Sequence, residues 1–320
     1  AKDVTDEEYA SFYQEKYYDY EKPLKVINQK AEGGVSFEAL MFIPSHAPFN
    51  YYSKDYEKGL QLYSSGVLIM DKCKDLLPDY VSFVRGLVDS SDLSLNISRE
   101  MLQQDRQLKA IAKAIEKKIA AELKKMLETD RENYNKFYIA FGSQLKWGLY
   151  SDYGMHKEIL QDLVMFKSSD GLELKTLKEY VEKMKEEQKS IYFASGETVE
   201  QIALLPQVEA VTSRGFEVLY LTEDVDEFAL SILGKYDDKD FVNVCKDNLD
   251  LATDEEKEAL KKENEEAKEL LDYLKESIDD NIHSVKFTNT LKDHPACLSS
   301  EGEISVGMEK TLNKMPGAEE

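Results

Sequence analysis

The chain has 320 residues, 63 acidic and 41 basic, and a net charge of −22 at pH 7. That balance argues against a nucleic-acid surface, which needs clustered lysines and arginines. No apolar run approaches the length of a bilayer-spanning helix.

With 42% hydrophobic and 32% charged residues, the chain is long enough for two or more domains with ample cores. Cys73, Cys245 and Cys297 are odd in number and far apart, so they define no disulfide framework. With no signal peptide at the start, the expectation is a reducing, cytoplasmic protein with no membrane partner. His46, His156, His283 and His294 lack ligand spacing, and structural or solvated roles are expected, with no metal.

In chain order, Tyr9, Phe12, Tyr13 and Tyr17 recur at helical spacing, which predicts an amphipathic helix ended by Pro23. Val35 to Ala39 alternates as a half-wet strand and becomes wholly apolar through Met41-Phe42-Ile43. The loop from Pro44 to Pro48 cannot continue a sheet ladder. Leu60–Tyr63 and Val67–Met70 read as strands joined by Ser64-Ser65-Gly66, a turn signal. Leu76 to Val88 reads as a helix broken near Gly86.

Ser98 is a good N-cap, which would place Arg99 at the first helical position. A helix start carries free N–H donors and favours anions, and the arginine fork matches phosphate or carboxylate. At roughly 100° per residue, Arg99, Gln103 and Arg106 fall within about 60° of one another. Leu108, Ile111, Ile115, Ile119 and Met126 centre on the opposite side, so the predicted helix from Arg99 to about Leu127 turns its apolar stripe inward. An arginine paired with a nearby carboxylate is the structural alternative.

From Glu128 to Phe166 the pattern is helical, with an aromatic stripe at Tyr134, Phe137, Tyr138 and Phe141. A second α/β unit follows. Its helices are predicted at 177–184, 199–205 and 225–233, and its strands at 191–194 and 216–221. Ser195-Gly196-Glu197-Thr198 reads as an ordinary strand-to-helix connection, because a phosphate cradle needs several glycines. Residues 254–280 hold 12 acidic and 5 basic side chains. Leu260, Ala267, Leu271, Leu274 and Ile278 nevertheless keep a heptad-like spacing, and Thr253 with Glu256 forms a capping-box pattern. One long helix is predicted there, then strands around Val285-Lys286-Phe287, then a short helix with Met308, Leu312 and Met315 on one face. No P-loop, dinucleotide turn, nucleophile elbow or metal motif is present.

Leu95-Asn96-Ile97-Ser98-Arg99-Glu100-Met101-Leu102-Gln103-Gln104 closely resembles the segment that opens the catalytic helix of the middle domain in the heat-shock protein 90 chaperone family. Ile43-Pro44-Ser45-His46-Ala47-Pro48-Phe49 resembles that family's Ile-Pro-x-x-Ala-Pro-Phe loop. Leu76-Leu77-Pro78 and Ser82 to Ser90 resemble the segment before the catalytic loop. Ser190 to Phe193 and Phe216 to Thr222 resemble later core strands. The motifs occur in order over essentially the whole chain, and they are most similar to the family's bacterial form.

The resemblance implies a layered α/β (α+β) fold. A large αβα sandwich unit (1–128), a helical connector (129–166) and a small αβα unit (167–246) make a middle domain. By the same resemblance, residues 247–320 would be a partial C-terminal domain lacking the dimerisation helices. It further implies that Arg99, positioned by Gln103, reaches the γ-phosphate of ATP held with Mg in a separate N-terminal domain. The fragment alone would then bind no cofactor and be inactive as an ATPase. Unfolded or partly folded client proteins would meet Leu68, Phe228, Met308, Leu312 and Met315. By that resemblance, Leu68 matches a position where one relative carries an aromatic, and Phe228 one that is tryptophan in another bacterial form. The full-length protein would be a homodimer and this fragment mainly a monomer. The competing expectation is a protein-interaction scaffold with Arg99 purely structural.

Overall fold

The structure is a computed structural model and describes residues 4–93, 105–246, 254–278, 282–288, 291, 294–300, 302 and 304–314. It is mixed α/β with two sheets, and it divides into two compact units, Ala1–Met165 and Phe166–Glu320.

The first unit runs α1 (Asp6–Tyr17), β1 (Lys25–Ala31), β2 (Phe37–Ile43), β3 (Leu60–Ser64), β4 (Val67–Cys73), β5 (Arg85–Asp89), α2 (Arg106–Thr129), α3 (Arg131–Ser151) and the short α4 (Lys157–Leu160). Its sheet has the order β1-β2-β5-β3-β4. All pairs are antiparallel except β3 with β5. Side chains alternate across the sheet, so cross-strand partners share a face. On one face Phe42 and Arg85 lie opposite each other. There α1 packs, with the Tyr13 ring 5.2 Å from Phe42 and the Arg85 guanidinium over Tyr17. The other face carries Lys25, Ile27, Met41 and Ile43. It meets α2, where Gln29 Nε2 donates to the Ala114 carbonyl and Lys25 pairs with Glu122 at 3.3 Å. The α2 stripe of Leu108, Ile111, Ile115, Ile119, Leu123 and Met126 is fully buried. Each such side chain contributes about 1.5–3 kcal/mol. The α3 aromatics Tyr134, Phe137, Tyr138 and Phe141 are buried as predicted, and the hydroxyls of Tyr134 and Tyr138 donate to the carbonyls of Leu163 and Met165.

The second unit contains β6 (Met165–Ser168), β7 (Lys175–Thr176), α5 (Leu177–Glu182), β8 (Ile191–Ser195), α6 (Val199–Ala203), α7 (Pro206–Thr212), β9 (Val218–Leu221), α8 (Asp226–Leu233), β10 (Lys235–Tyr236), β11 (Lys239–Asn243), α9 (Asp254–Glu266), α10 (Lys268–Ile278) and α11 (Val306–Lys314). Its strand order is β10-β11-β8-β9-β6-β7, with β11, β8 and β9 mutually parallel. Ile202, Val208 and Val211 of α6 and α7 pack with Tyr192, Ala194, Val218 and Tyr220.

Several elements differ from expectation. Residues 76–88 are two 3-10 turns, Lys74–Leu76 and Asp79–Val81, followed by strand β5. Pro78 disfavours a helical Leu77, which is extended, and β5 is claimed by two neighbouring strands. α1 ends at Tyr18 in a left-handed conformation, ahead of Pro23. Strand β1 was unanticipated, and β6 begins inside the stretch expected to be helical. The helix predicted over 254–280 is divided at Ala267 into α9 and α10, and of its apolar stripe only Leu271 is buried. Thr253 of its capping pattern lies outside the described residues. Phe287 joins no strand, because Asn264 claims its backbone: Phe287 N–H donates to Asn264 Oδ1, and Asn264 Nδ2 donates to the Phe287 carbonyl.

Candidate functional site

The residues that flank the strongest sequence motif are well fixed on both sides. On its near side β5 runs into Ser90, whose N–H donates to the Tyr63 carbonyl and whose hydroxyl donates to the Ser36 carbonyl. Ser36 N–H donates to the Asp92 carboxylate at 2.7 Å, and the buried Ser64 hydroxyl donates to the Leu93 carbonyl at 2.6 Å. Leu93 is itself buried. On the far side the Asp105 carboxylate caps α2, accepting from the N–H groups of Gln107 (2.7 Å) and Leu108 (3.0 Å). The described residues on either side of the motif are thus a buried leucine, Leu93, and a helix-capping aspartate, Asp105.

Arg99 and Gln103 lie outside the described residues. Asp105 interrupts the helix expected from Arg99 to about Leu127. That residue is extended (φ −66°, ψ 126°) and α2 starts at Arg106, so the stripe helix does not run back unbroken to Arg99. The inward stripe itself is as expected. Because Asp105 fixes where α2 begins, Asp105→Ala should cost about 1 kcal/mol. Urea unfolding that shows no loss would contradict this capping role.

The expected client-contact residues divide by exposure. Leu68 is 48% exposed on β4, opposite Tyr63, and Val67 beside it is 54% exposed. A turn with positive φ at Ser65 and Gly66 presents this pair. Phe228, on α8, is half-buried. Met308 and Leu312, on α11, are also half-buried, and Met315 lies outside the described residues.

Sequence reading missed a second set of exposed apolar groups. Ile139, Trp147 and Tyr150 share one side of α3, and Tyr153, Met155 and the loop residue Phe49 are also exposed. The clue at α3 was the set Ile139, Trp147 and Tyr150, large residues out of phase with the buried stripe.

Three of the four histidines lie against carboxylates. His156 bridges Asp152 and Glu116, His46 lies 3.4 Å from Glu21 and 3.8 Å from Asp19, and His294 lies 3.7 Å from Glu209. Among the described residues no group of three His, Cys, Asp or Glu side chains could hold a metal ion, and no helix is long and apolar enough to cross a membrane.

Comparison with known proteins bears on these observations directly. The family model described as Hsp90 protein matches residues 1–318. The chain is 55% identical over 314 residues to the chaperone protein HtpG of Clostridium acetobutylicum, covering 98% of this chain and 50% of that protein. It is 50% identical over 317 residues to HtpG of Bacillus subtilis, covering 99% and 51%. The chain thus spans about half the length of the curated relatives it matches. Among solved structures it is similar to the middle domain of a putative heat shock protein from Plasmodium falciparum. The TM-score is 0.67 and the identity 33%, over 77% of this chain and 97% of that one.

Proposed function

The chain belongs to the Hsp90 protein family, and we propose that it works as the middle portion, with part of the C-terminal portion, of an ATP-dependent chaperone. In this reading residues 1–128, 129–166 and 167–246 form the middle domain, and residues 247–320 begin the next. Arg99 contacts the γ-phosphate of ATP bound, with Mg, in a separate nucleotide domain, and Gln103 positions that contact. A cation aimed at a transferring phosphoryl group stabilises the charge that develops there. What supports the reading, beside the family match, is that the flanking residues are fixed: the Leu93 carbonyl accepts from the buried Ser64 hydroxyl, and Asp105 caps α2. An arginine delivered to another domain's nucleotide needs a fixed base, because small displacements cost large factors in rate.

Clients are bound through Leu68, Phe228, Met308, Leu312 and Met315. The methionines suit varied partners, since the thioether chain is flexible and polarizable. The full-length protein is a cytoplasmic homodimer in this proposal. The chain alone is expected to bind ATP negligibly and to hydrolyse none, since the nucleotide pocket lies elsewhere. Calorimetric titration with Mg-ATP and a phosphate-release assay test both points. Tight binding or turnover by the chain alone would overturn the division of labour.

A further inference from the structure

The three parallel strands of the second unit end together. β8 closes at Ser195, β9 leads into Asp224 and Glu227, and β11 leads into Cys245. In parallel α/β sheets the crevice outside these carboxyl ends is where ligands are held. Here it is filled by a later piece of the same chain. Ser300 N–H donates to the Cys245 carbonyl, and Ser300 bridges to Lys246. Gln207 Nε2 donates to the Leu298 carbonyl. The buried Ser305 hydroxyl donates to Glu227 Oε2 at 2.5 Å while accepting from Met308 N–H at 3.0 Å, so it caps α11 and docks it in one contact. The Thr311 hydroxyl, a turn further on, is 3.3 Å from an Asp224 carboxylate oxygen.

Gly307 is the point of closest approach. A Cβ there would lie 2.5 Å from Glu227 Oε1 and 3.2 Å from Ser195 Cβ. Glu227 is buried at the positive end of α11, a favourable place for a carboxylate. Yet its Oε1 and the Ser195 hydroxyl have no hydrogen-bond partner among the described residues. Unsatisfied buried polar atoms are costly, so the contact forms at a cost in polar satisfaction.

We propose that α11 is a self-docked plug over the carboxyl edge of this sheet, clasped by Glu227 and Asp224, and that its half-buried Met308 and Leu312 become fully available to clients only when the clasp opens. The proposal rests on the client-binding reading above. The crevice recognises a helix start bearing a serine cap and a glycine two residues later. A client gains the whole of those side chains only by displacing the chain's own segment, so clasp strength tunes client binding.

The test uses the full-length protein with Gly307→Val, Glu227→Ala and Glu227→Gln. Glutamine keeps an oxygen for the Ser305 hydroxyl, whereas alanine removes it and valine intrudes on the clasp. Amide hydrogen exchange over 307–314 and anisotropy with a reduced, carboxymethylated unfolded protein are read together. Thermal unfolding checks that each variant folds. The expected result is exchange at least tenfold faster and client binding at least threefold tighter in Gly307→Val and Glu227→Ala, with Glu227→Gln near the parent. Unchanged exchange in both disruptive variants overturns the clasp. Faster exchange with unchanged or weaker client binding overturns the withholding role. Absence of client binding in every form overturns the chaperone reading as well, while the exchange data still decide the clasp.

Discussion

Alanine at Gly86 lowers the unfolding free energy by about 3 kcal/mol or more. Gly86 sits in β5 at the centre of the first sheet with φ +155°, paired to Met41 of β2. A Cβ there would come within 2.3 Å of the Leu40 carbonyl oxygen and 2.8 Å of the Met41 Cα. Both are backbone atoms of a strand buried on both faces, so neither can swing aside as a flexible side-chain end would. β2 would have to separate from β5, loosening Phe42 from Tyr13 above and Met41 from the α2 layer below. Urea or thermal unfolding of Gly86→Ala measures this directly. A loss under 1 kcal/mol would mean that the two strands yield far more readily than their packing implies.

Arg99→Ala in the full-length protein is expected to lower ATP turnover by roughly 10²–10³-fold and to leave ATP affinity within about twofold. A cation that meets the γ-phosphate mainly as charge develops lowers the barrier without adding to ground-state binding. Arg99→Lys should recover little, since a point charge does not reproduce the planar fork. Single-turnover kinetics with a separate nucleotide-binding measurement divide the two effects. Turnover unchanged in Arg99→Ala would return Arg99 to a structural role and leave the scaffold reading in place.

Where a pattern repeats along one element, the sequence was sufficient. In α2, Leu108, Ile111, Ile115 and Ile119 recur every three or four residues, and in α3 the aromatics do the same. A helix with those spacings has only one face to bury, and both stripes are buried. The hairpin at Ser64-Ser65-Gly66 was equally legible, because positive φ at two successive positions narrows the choice of residues there. Residues 76–88 were not. A short apolar run fits a buried strand or a helix equally well, and the choice was made by β2 and β3, which take β5 between them. β1 escaped notice because one of its faces is wet and carries Asn28 and Lys30.

The sequence by itself settled composition, family and the periodic helices, since each is carried by neighbours within a few residues. Tertiary structure alone decided that β5 is a strand, that α2 begins at Asp105's cap, and that Ser305 meets Glu227, 78 residues away. The reason is the range of the forces involved. Helical and turn preferences act between residues close in the chain, whereas sheet partners and buried polar contacts are chosen only once distant segments have been brought together.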